Sequence, residues 1–219
     1  YIYIYECIEK KSSFRFMVFD LLGHNLNELK ELFPQKIIPN DVVCLYGKEI
    51  LNIISYIHSK GYVHRDIKPE NFLKGLTNQT INIIDFGLSK RYLDDYNKHI
   101  DTKEHTQITG TIRYASIHIH QGYTPSRRDD LISIGYMLMY ILNGKLPWQN
   151  LPLDISTEEK INSICDLKIY FSKNNLCNQY PPFLERYMKY VNELHYKETP
   201  NYNYLKSLFE YESTISSSS

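Results

Sequence analysis

Tyr62-Val63-His64-Arg65-Asp66-Ile67-Lys68-Pro69-Glu70-Asn71-Phe72-Leu73 is the stretch whose reading decides the fold. Fourteen residues past Asn71 comes Asp85-Phe86-Gly87. A charged turn can spell any one of these tripeptides by chance, but not the whole set at fixed spacing. The flanking sequence says where the two clusters sit. Val43, Tyr46, Ile50, Ile53, Ile54 and Ile57 keep three- and four-residue spacing, which predicts a helix opening at Pro39-Asn40-Asp41 with Asn40 or Asp41 as its cap. Gly61 is placed to end it in a left-handed conformation. That helix delivers the chain directly into the His64 turn. Residues 81–84 read as a short strand running into Asp85. Both polar clusters thus fall at the ends of elements, where catalytic groups usually sit.

Together the clusters match the two halves of the protein-kinase signature, a catalytic loop and a metal-binding loop. Each polar residue then has a task in phosphoryl transfer. Asp66 would accept a hydrogen bond from the attacking hydroxyl and orient it. Lys68 would lie against the γ-phosphate, and Asn71 and Asp85 would hold Mg2+ between the phosphates of ATP.

The bulk properties narrow the setting. A chain of 219 residues with zero formal net charge can bury a substantial core and carries no global field to recruit nucleic acid or an anionic membrane. Cys7, Cys44, Cys165 and Cys177 stand far apart without C-x-x-C spacing, which suits reduced thiols rather than a disulfide framework or a zinc site. No apolar run reaches membrane-spanning length. The chain begins at Tyr1 and its first methionine is Met17, which reads as a fragment.

Outside the signature, residues 1–8 and 14–22 predict two antiparallel strands joined through the polar turn Glu9-Lys10-Lys11-Ser12-Ser13, with Gly23 ending the second. Leu26, Leu29, Leu32 and Phe33 share a helical face that stops before Pro34. Residues 130–142 hold only Ser133 and Gly135 as breaks after Asp130, the pattern of a central helix buried on all sides and ended by Asn143-Gly144. Helices are predicted at 157–171, from Pro181-Pro182 to about 194, and at 202–209, before a disordered serine run at 216–219.

Several segments resemble casein kinase I over nearly the whole chain. They are Ile84-Asp85-Phe86-Gly87-Leu88-Ser89-Lys90-Arg91-Tyr92, Ser126-Arg127-Arg128-Asp129-Asp130-Leu131, Leu146-Pro147-Trp148-Gln149 and Tyr202-Asn203-Tyr204-Leu205. Thr109-Gly110-Thr111-Ile112-Arg113-Tyr114-Ala115-Ser116-Ile117-His118 is more telling, because that family ends its activation segment in Ser-Ile-Asn where most kinases have Ala-Pro-Glu. The resemblance implies an α+β, protein kinase-like fold, with a mainly α-helical C-terminal lobe and a truncated β N-terminal lobe. Residues 1–22 would be the remnant of the small lobe (strand hairpin and hinge), 23–211 the large lobe and 212–219 a disordered tail.

The resemblance also carries roles. Thr111 would hydrogen-bond beside the catalytic Asp66 and Lys68. Asp130 would accept backbone hydrogen bonds from the His64-Arg65 turn, and His64 would be a packed structural residue. Phe19 would back the adenine pocket, the backbone of Asp20 and Leu22 would pair with the adenine edge, and Leu73 would pack under the ring. Arg113 matches the arginine that reads acidic or already phosphorylated protein substrates, bidentate pairing giving the physical reason. Thr106 stands where the family has lysine, and a lone arginine there serves equally as a structural ion-pair partner. The family implies a non-specific serine/threonine kinase using ATP and Mg2+, monomeric, cytoplasmic or nuclear, with no nucleic-acid or membrane partner. A glycine-rich loop and the small-lobe lysine and glutamate are not found before Gly23. The alternative reading is therefore a non-catalytic pseudokinase acting as a protein-binding module, and the chain alone is expected to bind ATP weakly and to transfer phosphate very slowly, if at all.

Overall fold

The computed structural model describes residues 2–9, 12–78, 80–104, 108–149, 156–174 and 176–215. Tyr1, the Lys10-Lys11 turn, Thr106 and the serine run at 216–219 lie outside the described residues. The alternating segments pair as foreseen. Strand β1 (Ile2–Glu9) runs antiparallel to β2 (Ser12–Phe19) in a register from Ile2 opposite Phe19 to Glu9 opposite Ser12.

Gly23 does not end β2. Asp20 and Leu21 already leave that ladder, and Gly23 lies inside a third strand, β3 (Leu22–Asn25). Its Cβ position is 3.1 Å from the Lys74 carbonyl oxygen, so glycine permits close approach to the neighbouring strand there. Asn25 then caps helix α1 (Leu26–Glu31), accepting from the Glu28 amide at 2.9 Å while the Glu28 carboxylate accepts from the Asn25 amide at 3.0 Å. That reciprocal box was not read from the sequence, although Asn-x-x-Glu is its signature. Leu26 and Leu29 are buried as expected, but α1 ends before Leu32, which is 68% exposed.

Helix α2 (Asn40–Ser59) has its predicted apolar face. Val43, Tyr46, Ile50, Ile54 and Ile57 are buried and Ile53 packs at the margin of the core. Its cap differs from expectation: Pro39 occupies the cap position without a side-chain bond, and Asn40 and Asp41 lie in the first turn. Proline already supplies the extended backbone that precedes a helix, so a polar cap is dispensable. Gly61 adopts φ +82° as foreseen. Strand β4 (Tyr62–Val63) follows, then β5 (Phe72–Gly75) and β6 (Ile81–Ile83). The order β3-β5-β6 makes a three-stranded antiparallel sheet, while β7 (Lys90–Arg91) pairs with β4.

A four-residue helix α3 (Ile117–His120) leads to α4 (Arg127–Asn143). Every residue of α4 from Asp129 to Leu142 is buried, and Gly144 closes it at φ +72°. Helix α6 (Pro182–Glu193) packs on α4, α7 (Tyr202–Ile215) packs on α2 and α6 and runs beyond the predicted 209, and α5 (Thr157–Lys173) packs on α3. The fold is the α+β type foreseen: helices supply one apolar core centred on α4, and small antiparallel sheets stand at its edge. Among the described residues no helix is long and apolar enough to cross a membrane, and Cys44, Cys165 and Cys177 are in no disulfide.

Helices α2 and α7 touch at Gly47, where a Cβ would stand 2.5 Å from the Phe209 ring, itself wedged against Phe183 and Tyr187. Gly47→Ala should gain about 1 kcal/mol of helix propensity yet lose stability overall. Overpacking a filled core costs about 1–3 kcal/mol. A urea midpoint above that of the wild type would contradict this account of α2–α7 packing.

Candidate active site

Two chain segments meet at the carboxylate of Asp66. Within the turn itself, Lys68 Nζ donates to Oδ2 at 2.6 Å and Asn71 Nδ2 donates to the Asp66 carbonyl oxygen at 2.8 Å. From 45 residues away, Thr111 donates both its amide (3.0 Å) and its hydroxyl (2.7 Å) to Oδ1. Burial pushes the Asp66 carboxyl upward, but the bonds from Lys68 and Thr111 outweigh it and hold the group below the ordinary carboxylate value. Asp66 is therefore an oriented anion. The segment bearing Thr111 can come this close because Gly110, at φ +90°, has no side chain: a Cβ would fall 2.3 Å from the Arg65 carbonyl oxygen. Gly110 was overlooked as a site residue, although a glycine between two threonines beside the site is the kind of signal that marks close backbone approach.

The turn owes its shape to Asp130 in the first half of α4. Its Oδ2 accepts from the His64 amide at 2.8 Å and its Oδ1 from the Arg65 amide at 2.9 Å. Arg65 is left-handed, at φ +70°, which aims two successive amides at one carboxylate. His58, which the sequence reading treated only as part of a helix, donates Nε2–H to Asp130 Oδ2 at 2.9 Å, and Tyr202 donates to His58 Nδ1 at 2.6 Å. The available signal was a lone histidine on the apolar face of α2. Burial raises the Asp130 carboxyl, but the hydrogen bonds from His58 and from the His64 amide bring the balance below 3.8.

His64 is fully buried and links the two motif loops. Its Nε2–H donates to the Ile84 carbonyl at 3.1 Å, its Nδ1 accepts from the Asp66 amide at 3.3 Å, and its ring meets Phe86 edge-on at 5.2 Å. These partners define one neutral tautomer. On the other side Arg65 Nε donates to the Leu88 carbonyl. Ladder pairing of Phe72 with Ile83, extended by the Ile84 amide on the Asn71 carbonyl (3.0 Å), brings Asp85 next to Asn71. Asp85 is exposed and left-handed (φ +63°), its Oδ1 accepting a long 3.3 Å bond from Gly87.

The donor chemistry fits a hard cation. Asn71 spends its amide nitrogen on Asp66, which leaves the oxygen as its ligand atom, and Asp85 offers a carboxylate. Among the described residues no group of three or more His, Cys, Asp or Glu side chains could hold a metal by itself.

At the other predicted subsite, β3 runs antiparallel to β5 with Leu22 opposite Gly75 and Asn25 opposite Leu73. The structure thus brings the half-buried Leu22 and Leu73 onto adjacent strands, with Asp20 two residues before Leu22 and Phe19 half exposed at 50%. Arg113 is exposed, its guanidinium 6.0 Å and 5.9 Å from the Tyr114 and Tyr140 ring centres. Among the described residues no carboxylate stands at ion-pair distance from it.

A buried helix thus lies beneath two motif loops that bear an oriented aspartate and two side chains with free oxygen donors. The family model for the protein kinase domain matches residues 2–201, and the chain belongs to that family.

Asp130→Asn tests the turn. An amide can accept at one atom only, so at least one buried donor loses its partner, at a cost of about 3 kcal/mol or more. A depressed carboxyl contributes stability that is present above its unfolded value of 3.8 and is lost as pH falls through the lower folded value. Urea unfolding at pH 7 should show the deficit, and it should narrow below about pH 4. A variant as stable as the wild type at pH 7 would rule out this role.

Proposed function

We propose that the chain is an ATP-dependent serine/threonine protein kinase of casein kinase I type, acting as a monomer on acidic or already phosphorylated proteins in the cytoplasm or nucleus. The observation that carries the catalytic part is the Asp66 carboxylate. It is fixed by Thr111 on one oxygen and by Lys68 on the other, and kept ionised.

In this reading residues 1–22 border the adenine side and residues 23–211 carry the catalytic groups. The Asp20 and Leu22 backbone pairs with the adenine edge, and Leu73 packs beneath the ring. Bound ATP with Mg2+ supplies the phosphoryl group and the positive charge that offsets its oxygens. Asn71 Oδ1 and the Asp85 carboxylate would hold the ion. A substrate hydroxyl would donate to Asp66, which would orient its oxygen toward the γ-phosphorus and take the proton as the new O–P bond forms and the bond to the ADP leaving group breaks. Lys68 Nζ is 2.6 Å from Asp66 and its side chain is 24% exposed, so it can turn toward the incoming phosphoryl oxygens without leaving the site. Serine and threonine specificity and the casein kinase I type are supported by the Lys68/Asn71 pattern and by Ser116-Ile117-His118.

Radiolabelled ATP, Mg2+ and a casein-type acidic peptide test the reading with the full chain. Slow phosphate transfer is expected, because no glycine-rich loop or small-lobe lysine and glutamate precede Gly23, and Asp66→Asn should reduce it at least about 100-fold with the fold intact. Transfer that survives Asp66→Asn, or no transfer by the wild type, would sink the proposal.

Arg113 is assigned to the substrate's existing phosphate. Charge-assisted bonds of about 1.5–3 kcal/mol predict that Arg113→Ala lowers kcat/KM for a phosphorylated peptide about tenfold or more. The unphosphorylated peptide should stay within about twofold, well inside the 1.4 kcal/mol that a tenfold change represents. Equal losses on both peptides would remove the assignment.

A further inference from the structure

Lys168, in the middle of α5, is only 1% exposed and lies far from the Asp66 turn in sequence. Among the described residues no carboxylate pairs with its ammonium. Instead Nζ donates to the Ala115 carbonyl at 2.6 Å and to the Ile112 carbonyl at 2.9 Å, and meets His120 Nε2 at 3.1 Å. It also lies 5.1 Å from the Tyr136 ring centre and 5.3 Å from that of Trp148. Trp148 Nε1 takes the intervening carbonyl, that of Arg113, at 2.8 Å. Three carbonyls of residues 112–115 are therefore tied down from beneath by two side chains, and the Thr111 carbonyl accepts from the Tyr114 and Ala115 amides. The upper end of this braced turn is Thr111, which grips Asp66 Oδ1 with two bonds.

A buried lysine without an anion is costly, and an apolar residue would fill the same space more cheaply. Its donors are what an apolar residue lacks. We infer that Lys168 is a positioning residue for phosphoryl transfer: by clamping the Ile112 and Ala115 carbonyls it sets the height at which Thr111 meets Asp66.

The groups facing Nζ are His120 from α3, Tyr136 from α4, Trp148 from the loop after α4, and Cys165 on its own helix. Burial draws the ammonium down to about 7 and, with the Lys168 charge, the His120 imidazole down to about 3. The clamp survives either charge state of the amine. An ammonium has three donors for the two carbonyls and a lone pair on His120 Nε2. A neutral amine keeps two donors for the carbonyls and accepts from the Nε2–H tautomer.

The catalytic consequence rests on the kinase reading, whereas the clamp itself does not, and the test separates them. The full chain is compared as wild type, Lys168→Met, which removes every donor, and Lys168→Gln, which keeps an N–H group. Amide hydrogen exchange is followed at Thr111, Tyr114 and Ala115, and phosphate transfer is resolved into kcat, peptide KM and ATP KM. Lys168→Met should exchange at least tenfold faster at those amides with α4 unchanged. Its kcat should fall at least tenfold while the ATP KM stays within twofold, and Lys168→Gln should recover part of both effects. Unchanged exchange overturns the clamp, as does a speed-up shared equally by α4. Faster local exchange with an unaltered kcat overturns the positioning role. If the wild type transfers no phosphate, the kinase reading fails while the exchange result still decides the clamp; if Lys168→Met does not fold, Lys168→Gln decides it.

Discussion

The site depends on one buried anion. Asp130 takes the His64 and Arg65 amides and the His58 imidazole on two oxygens, and without it the left-handed Arg65 has no local reason to exist. A non-glycine residue in that region costs about 1–2 kcal/mol, while hydrogen bonds to a charged group contribute about 1.5–3 kcal/mol each. The balance favours the strained turn so long as all three donors are present. The carboxylate sits in the first turn of α4, where the helix dipole also favours negative charge. A rigid core helix thus dictates the backbone of an exposed loop.

From that turn the geometry spreads by short links. His64 reaches the Ile84 carbonyl and the Phe86 ring, and Arg65 reaches Leu88, so the loop bearing Asp85 is held from two sides by the residues that precede Asp66. The β5–β6 ladder adds Asn71 to the same frame. Asp66, Asn71 and Asp85 belong to different strands and turns, yet each is at most a few bonds from the residues that Asp130 holds. Thr111 arrives independently, from a segment fixed by α5 and Trp148.

What could be read in the sequence follows from this division. The polar residues of the two loops were legible because their chemistry restricts both residue type and spacing, and α4 was legible because a helix buried on every side has no polar face. The long-range partners left little trace. His58 looks like any residue on an apolar helix face, and only a folded core shows that it stands between Tyr202 and Asp130, 144 and 72 residues away. Lys168 appears in sequence as an ordinary helix lysine, with nothing to say that its ammonium faces carbonyls rather than water. Strand β3 and the Pro39 cap were missed for a local reason: Gly23 and Asn40-Asp41 carry strong turn and cap propensities, and sheet pairing and proline geometry overrode them.

The buried polar groups form a pattern that an apolar core could not supply. The adjacent acids of α4 serve different segments. Asp130 holds the His64 turn, whereas Asp129 accepts from Ser116 Oγ at 2.5 Å and from the Ser126 amide at 2.8 Å, with His118 Nδ1 3.4 Å away. Lys168 holds the stretch between. Apolar side chains in these places would tolerate a sliding contact between loop and helix, because dispersion attraction changes little over a fraction of an ångström. A hydrogen bond to a buried charge does not tolerate it, since a displaced donor is left without water to replace its partner. Such groups stabilise less than the apolar residues that could replace them, and what they contribute is register. In the proposed reading an aspartate meets a substrate hydroxyl at hydrogen-bond distance, a task for which register is the property that matters, and three charged residues are gathered in and around a helix buried along nearly its whole length.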